Sequence, residues 1–199
     1  MSLDVAIIDS GGANLASLQF ALERLGAESV VTSDLAVIST APRVLLPGVG
    51  SALAAMQRLT ASGVAGHLPQ LTQPVLGICL GMQLLFQKSE EGPAQCLGIL
   101  PQTVRKLTPA PGRPVPHMGW NRLHMVREDP LLEGVAEGEY LYFVHSYAAP
   151  ASTTTLATSD YGMPIAAVVR KNNFWGTQFH PERSTKVGAR ILANFLGLT

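Results

Sequence analysis

The stretch PVLGICLGMQLLF, Pro74 to Phe86, decides the fold. The apolar run from Pro74 to Ile78 predicts a buried strand, and the residues after Gly81 predict a packed helix that continues to the end of the stretch. Cys79 therefore falls on the turn between the strand and the helix. Gly77 lies two residues before the cysteine and Gly81 two residues after it.

This cysteine turn has the pattern of a nucleophile elbow, with sulfur in place of oxygen. A very tight strand-to-helix turn favours residues without a Cβ on either side, which Gly77 and Gly81 supply. The first turn of a helix also places the thiol near the positive end of the helix dipole, which favours the thiolate. We interpret Cys79 as a candidate nucleophile. This stretch alone leaves open the alternative of a small buried core cysteine.

The first half of the chain alternates short apolar strands with amphipathic helices. Before the cysteine turn, strands are predicted at Val5 to Asp9, Glu28 to Thr32 and Arg43 to Leu46. Helical spacing begins after Asn14, a candidate N-cap, and returns at Ala52. This alternation predicts a doubly wound, mostly parallel α/β sheet.

The second half has a different character, because β-branched and aromatic segments are joined there by proline and glycine turns. Antiparallel strands are predicted at Thr103 to Arg105, Leu141 to Val144, Ile165 to Val169 and Phe174 to Phe179. The segment VPHMGWN, Val115 to Asn121, is interpreted as a connector with a glycine turn, and Ser184 as the cap of the last helix. With its length of 199 residues, the chain is expected to form one domain, 1–199.

Composition limits the possible partners and the cellular location. There are 14 basic and 14 acidic residues and no basic run, so the chain lacks the electrostatic footprint of a nucleic-acid binder. The opening MSLDVAIID has no secretory pattern, and no stretch is typical of a membrane span. Two cysteines do not support a disulfide framework, so a cytoplasmic location is expected. Only 14% of residues are charged, which suggests that a partner covers part of the surface.

LPGVG, Leu46 to Gly50, is a second candidate site, since it directly follows a predicted strand. Ligands of doubly wound sheets collect at the carboxyl ends of the strands, where both LPGVG and the cysteine turn fall. Its two glycines can take backbone conformations that other residues cannot, and such a turn can direct backbone N–H groups at a ligand. An ordinary loop is the alternative. The glycines that follow Ser10 do not have the spacing of a dinucleotide site.

His180 and Glu182 complete a candidate catalytic triad. His180 follows a predicted strand and precedes Pro181, which favours an extended backbone there. Extended residues two apart project to the same side, so the imidazole and the carboxylate can face the same way. A histidine can take a proton from Cys79 and return it to a leaving amine, while the carboxylate fixes the imidazole tautomer. A zinc site is a poor alternative, because the histidines are scattered.

GICLGMQLL (Gly77 to Leu85), followed by GTQFHPERS (Gly176 to Ser184), resembles the class I (triad-type) glutamine amidotransferases. LPGVG, VPHMGWN and YFVHSY (Tyr142 to Tyr147) are similar, within that family, to the glutaminase subunits of imidazole glycerol phosphate synthase. The resemblance covers nearly the whole chain. It implies a three-layer, flavodoxin-like fold and hydrolysis of L-glutamine to glutamate and ammonia through a thioester on Cys79, with no cofactor and no metal.

The resemblance also assigns the remaining site residues. The oxyanion hole would use the amide of Leu80, directly after the nucleophile, and the amide of Val49 or Gly50. Members of the family are thought to hold the PGVG peptide in an unproductive orientation until the partner binds its own substrate. The groups that would hold glutamine are Gln83 and the backbone around Ser146 and Tyr147.

The partner implied by the resemblance is a (β/α)₈ cyclase subunit, which would receive the ammonia and form imidazole glycerol phosphate and aminoimidazole carboxamide ribotide in histidine biosynthesis. Its interface would include Trp120 and Tyr142, together with Asn14 and Arg183. Arg183 keeps the positive charge that lysine usually carries in the family. The chain departs from the family pattern DYGxGN, because it has DSGGAN at Asp9 to Asn14.

Two other functions stay open at this point. The chain could be the amidotransferase of another synthase, such as one of the anthranilate or pyridoxal phosphate pathway, although PHMGWN argues against it. It could also be a catalytically silent regulatory or interaction module on the same fold, which the intact Cys79, His180 and Glu182 disfavour.

Overall fold

The computed structural model describes residues 3–10 and 15–199. The helices are α1 (Leu15–Glu23), α2 (Leu35–Thr40), α3 (Ala52–Ala61), α4 (Val64–His67), α5 (Leu80–Leu84) and α6 (Thr185–Gly197). The strands are β1 (Val5–Ile8), β2 (Ser29–Thr32), β3 (Arg43–Gly48), β4 (Val75–Cys79), β5 (Phe86–Ser89), β6 (Ala94–Gln95), β7 (Leu100–Lys106), β8 (His117–Arg122), β9 (His124–Met125), β10 (Tyr140–His145), β11 (Tyr147–Ala148), β12 (Thr155–Asp160), β13 (Pro164–Lys171) and β14 (Phe174–Thr177). None of the helices in these ranges is long and apolar enough to cross a membrane.

An eight-stranded sheet in the order β2-β1-β3-β4-β14-β13-β12-β9 forms the centre. Neighbours from β2 to β14 are parallel, and those from β14 to β9 are antiparallel. The predicted mostly parallel sheet with antiparallel additions is thus confirmed. The predicted strand at Phe174 to Phe179 corresponds to β14, which pairs with β13 on one side and with β4 on the other. His180 therefore follows a strand adjacent to the one that ends at Cys79.

Side chains along the parallel strands alternate between the two faces of the sheet. Val5 and Ile7 of β1 belong to the apolar cluster that contains the buried residues of α1 and α6. Ala6 and Ile8 belong to the cluster that contains those of α2, α3, α4 and α5. The expected three-layer arrangement, with helices on both faces of the sheet, is confirmed. Two smaller sheets, β10-β8 and β11-β7-β5-β6, come from the middle of the chain.

Two of the predicted elements are wrong. The helix after Cys79 ends at Leu84, and Phe86 begins β5, because the carbonyl of Leu85 accepts a hydrogen bond from the Leu100 amide and the chain then pairs with β7. The segment Val115 to Asn121 is not a connector. It supplies most of β8, in which Gly119, with φ +130°, lies opposite a residue of β10 instead of in a turn.

The segment 34–39, whose pattern is ambiguous, forms most of α2. The Asp34 carboxylate caps this helix by accepting a hydrogen bond from the Ala36 amide at 2.8 Å.

Close backbone packing explains the two glycines that flank Cys79. A Cβ at Gly81 would lie 1.6 Å from the carbonyl oxygen of Leu46, and one at Gly77 would lie 2.7 Å from the carbonyl oxygen of Gly81. The prediction that this turn excludes a Cβ on either side is confirmed. Helix α5 is thereby pressed against β3 and β4, which fixes the position of Cys79.

Gly81→Ala is expected to lower the free energy of unfolding by about 3 kcal/mol or more, because the backbone of Leu46 would have to move. Gly66→Ala in α4 is the matched control, since no atom lies within 4 Å of the added Cβ. The control is expected to be neutral or to stabilise by up to about 1 kcal/mol. Denaturant titration of the two variants measures the difference, and equal stabilities would contradict the argument.

Candidate active site

Cys79 occupies a strained turn at the carboxyl end of β4. Its backbone has φ 55° and ψ −110°, which is unusual for a residue with a Cβ and is typical of functional sites. The residue is 8% exposed, and its sulfur lies 3.8 Å from the carbonyl oxygen of Val144. Helix α5 has only five residues, so its dipole contributes less at the thiol than a long helix would. The backbone turn, more than the helix, presents the sulfur.

His180 and Glu182 are held against β10 by backbone and hydroxyl hydrogen bonds. The His180 amide donates to the carbonyl of Tyr142 at 3.0 Å. The Ser184 hydroxyl donates to the carbonyl of His180 at 2.7 Å and accepts from the Tyr142 amide at 3.0 Å. Ser184 precedes α6 as expected, but its side chain does not cap that helix. The predicted cap residue instead fixes the loop that carries the histidine.

The imidazole of His180 lies between the carboxylate and the thiol. Its Nδ1 donates to Oε1 of Glu182 at 2.7 Å, which leaves Nε2 for the side chain of Cys79. Burial alone would lower the pKa of His180, but the hydrogen bonds and charges of Cys79 and Glu182 outweigh it and raise this pKa to about 10. At neutral pH the imidazole therefore already carries its second proton, on the Nε2 that faces the side chain of Cys79.

A cavity of about 380 Å³ opens above the thiol. The structure places every predicted catalytic, oxyanion-hole and substrate residue on its wall: Cys79, His180, Glu182, Val49, Gly50, Leu80, Gln83, Ser146 and Tyr147. In the PGVG segment, only Gly50 has a left-handed backbone, with φ +87°. The requirement for glycine at Gly48 is instead steric, because a Cβ there would lie 3.1 Å from the Gly81 nitrogen.

Gln83 is buried, and its side-chain amide is hydrogen-bonded to other residues of the chain. Its Nε2 donates to the carbonyl of Tyr147 at 2.7 Å and to Oε1 of Gln178 at 3.0 Å. With both amide hydrogens used, Gln83 has only its own carbonyl oxygen to offer a ligand.

Sequence reasoning missed Gln178, which is fully buried and whose Nε2 lies 3.9 Å from the sulfur of Cys79. A signal for it was present, because Gln178 lies two residues before His180 and the two can face the same side of an extended chain.

Sequence reasoning also missed Glu91, which lines the cavity although nothing around it in the sequence marks it. Its carboxylate accepts a hydrogen bond from the Ala52 amide at 2.9 Å. Burial raises the pKa of Glu91, and the hydrogen bond from Ala52 opposes this. The residue supplies an acidic group at the cavity wall, and its hydrogen bond to Ala52 ties it to the start of α3.

An aromatic surface lies beside the cavity, and it includes three of the predicted partner residues. Trp120 is 49% exposed, and its ring lies 5.9 Å from that of Tyr142. The guanidinium of Arg183 lies 4.7 Å from the centre of the Tyr142 ring. Because Arg183 directly follows Glu182, this surface is connected to the triad through the loop that holds His180. Asn14, the fourth predicted partner residue, lies outside the described residues.

Comparison with known proteins decides the family. The sequence-family model for "Glutamine amidotransferase class-I" matches residues 6–198. The chain belongs to the class I glutamine amidotransferases. The family resemblance in the sequence motifs is thereby confirmed, and the strained cysteine turn of this amidotransferase lies within the matched region.

Relatives of this amidotransferase include two named "Imidazole glycerol phosphate synthase subunit HisH". The one from Xanthomonas oryzae pv. oryzae is 55% identical over 98% of both chains. The one from Xylella fastidiosa (strain Temecula1) is 55% identical over 97% of this chain and 96% of its own length.

Solved structures support the fold of this amidotransferase. A crystal structure of a glutamine amidotransferase has a TM-score of 0.74 at 21% identity and covers 97% of each chain. The structure of PurLQS from Thermotoga maritima has a TM-score of 0.74 at 18% identity, over 99% of each chain.

Proposed function

We propose that this amidotransferase is the glutaminase subunit of imidazole glycerol phosphate synthase and supplies ammonia to a (β/α)₈ cyclase subunit in histidine biosynthesis. The observation that carries the proposal is the 55% identity, over almost the whole of both chains, to relatives named as HisH subunits of that synthase. The aromatic surface of Trp120, Tyr142 and Arg183 supports docking of a partner beside the active site.

In the proposed reaction, the proton of Cys79 passes to Nε2 of His180 first, and the sulfur then attacks the side-chain amide carbon of glutamine. Glu182 accepts from Nδ1 of the imidazole at 2.7 Å, so it fixes the tautomer and stabilises the imidazolium that forms. His180 then protonates the departing ammonia, and a γ-glutamyl thioester remains on the sulfur. A water molecule that gives its proton to His180 releases glutamate and restores the thiol.

Stabilisation of the tetrahedral intermediate is assigned to backbone amides at the cavity wall. Leu80 directly follows the nucleophile, and Val49 and Gly50 line the same cavity. Donors aimed at a developing oxyanion are each worth about 10²–10³ in rate. Glu91 is suited to the α-ammonium group of glutamine, because its carboxylate lies on the cavity wall and glutamine carries its positive charge on that group.

Partner exchange tests the proposal against the amidotransferase of another synthase. Mixed with a histidine-pathway cyclase, its nucleotide substrate and glutamine, the chain is expected to yield imidazole glycerol phosphate. Mixed with the synthase component of anthranilate formation, it is expected to yield no product. The proposal would be contradicted if the chain supported product formation with the anthranilate synthase component but not with the cyclase. Absence of glutaminase activity with every partner would favour the silent module.

A further inference from the structure

Two buried histidines have no part in the proposed reaction. His117 on β8 lies opposite His145 on β10 in the strand register, and the two residues are 4% and 6% exposed. Nδ1 of His117 lies 3.0 Å from Nε2 of His145. The ring of His117 is also stacked between those of Phe143 and Tyr161, with centroid distances of 5.0 and 3.9 Å. The pair is rigidly packed, and His145 lines the glutamine cavity.

The partners of the pair fix the position of every proton. Nδ1 of His145 lies 2.9 Å from the carbonyl oxygen of Tyr147, which can only accept, so Nδ1 carries the hydrogen. In the neutral ring, Nε2 of His145 then accepts from Nδ1 of His117. Nε2 of His117 in turn accepts from the side-chain amide of Asn121 at 3.2 Å. The hydrogen bonds therefore all point from Asn121 towards Tyr147.

The imidazole rings of His117 and His145 are both neutral. The hydrogen bonds can all point one way only if neither ring carries a second proton. Burial lowers the pKa of His117 to about 4. Burial, together with the charges of His117 and His180, lowers the pKa of His145 to about 3, against the effect of its hydrogen bond to Tyr147. At neutral pH, His145 therefore places no second positive charge beside the catalytic imidazole.

The chain of hydrogen bonds connects the partner-facing strand to the cavity. At one end, Asn121 directly follows Trp120, which is on the aromatic surface. At the other end, the carbonyl of Tyr147 receives two donors, Nδ1 of His145 and Nε2 of Gln83. Gln83 continues to Gln178, whose amide lies 3.9 Å from the sulfur of Cys79. A buried network with all of its groups satisfied is stiff and costly to interrupt.

We propose that His145, held by His117, is a positioning residue for glutamine hydrolysis. The hydrogen bond that His145 donates fixes the Tyr147 carbonyl, and this carbonyl in turn fixes the Gln83 amide at the wall of the glutamine cavity. The proposal rests on the proposed glutaminase function. Neither histidine exchanges a proton with substrate. Loss of this hydrogen bond leaves the Tyr147 carbonyl with one donor, so the cavity wall can move. The affinity for glutamine therefore falls by a larger factor than the rate of the chemical step.

The test compares two replacements of His145 in the heterodimer with the cyclase. His145→Phe keeps a ring but removes both nitrogens, and it is expected to raise the KM for glutamine about tenfold while kcat stays within about threefold. His145→Asn retains an N–H near the position of Nδ1, and it is expected to bring KM to within about threefold of the wild type. His124→Phe, the same change at an exposed position of β9, is the control and should leave KM unchanged.

A spectroscopic measurement tests the arrangement without any activity. Long-range ¹H–¹⁵N spectra of the wild-type chain at neutral pH should show His145 with its hydrogen on Nδ1, the opposite of the tautomer that free imidazole side chains favour. A hydrogen on Nε2 would overturn the proposal even if His145→Phe failed to fold. Equal KM values for the Phe and Asn variants, or a loss in kcat alone, would also overturn it. A wild type that hydrolyses no glutamine with the cyclase would instead refute the proposed function.

Discussion

Cys79→Ala is expected to lower glutamine-dependent synthesis by the heterodimer by about 10⁴-fold or more, while synthesis from added ammonium salts stays unchanged. The sulfur is the atom that forms the thioester in the proposed reaction, and no other nucleophile is assigned at the cavity. In the proposed function, the cyclase subunit performs its own chemistry on ammonia, so free ammonia would bypass the lost step. Product formation from each nitrogen source, assayed with the same preparation, measures both effects.

The second cysteine of the chain provides the matched control. Cys96 is half-buried, and burial raises the pKa of its thiol to about 11, so it is a poor nucleophile at neutral pH. Cys96→Ala should therefore keep the glutamine-dependent rate, and a glutamine-mimicking electrophile should label Cys79 alone. If the Cys79 variant retained the glutamine reaction within about tenfold of wild type, the assignment of the nucleophile would be wrong.

The same variant gives a second readout in the titration of His180. Cys79 supplies the first of the contributions that raise the pKa of this imidazole, so its removal should lower the pKa of His180 from about 10. The variant histidine should then lose its proton at a lower pH than the wild-type one, which an NMR titration would detect. This readout depends on the contact between the two side chains and not on the presence of substrate.

The features that the sequence predicted correctly depend on short-range rules. Gly77 and Gly81 are adjacent to the turn they permit, and His180 and Glu182 are only two residues apart. Their side chains meet as predicted, but the predicted extended backbone holds for His180 alone, because Pro181–Arg183 forms a 3₁₀ helix. Parallel pairing of β4 with β14 then brings the cysteine and the histidine together, because the carboxyl ends of parallel strands meet at one edge. The motif pair GICLG and HPE is therefore enough to indicate the site.

The features that the sequence missed depend on long-range pairing. The contact of His117 with His145 requires the register of β8 against β10, and Gly119 in the middle of β8 suggested a turn in place of a strand. Glu91 reaches the cavity through the packing of α3, to which no local pattern points. Phe86 continued an apolar run in which periodicity does not separate helix from strand. In each case a distant part of the chain decides the conformation.

The two faces of the β8-β10 pair carry different side chains, because side chains alternate along a strand. The inner face carries His117 and His145, which are buried beside the glutamine cavity. The outer face carries Trp120 and Tyr142. A partner on the outer face would thus press on the same two strands that position the cavity wall, which provides a physical route for coupling between the proposed subunits.

The isolated chain is accordingly expected to hydrolyse glutamine slowly, and the cyclase with its nucleotide ligand should raise the rate about 10²–10³-fold. This is the effect of one oxyanion donor, which we assign to the amide of Val49 or Gly50 in the PGVG segment. Gly50 is in a left-handed conformation that glycine adopts readily, so rotation of this peptide is sterically permitted. Glutamate release should be measured for the chain alone, with the cyclase, and with the cyclase and its ligand.

The three measurements separate association from ligand binding as the cause of activation. If the rate rises only when the ligand is present, the nucleotide site controls the oxyanion donor through the interface. Full activation by the cyclase without its ligand would mean that docking on the aromatic surface of Trp120 and Tyr142 is enough to rotate the peptide of the PGVG segment. Rapid hydrolysis by the isolated chain, unchanged by the cyclase, would contradict the coupling altogether, because the donor would then be in place without a partner.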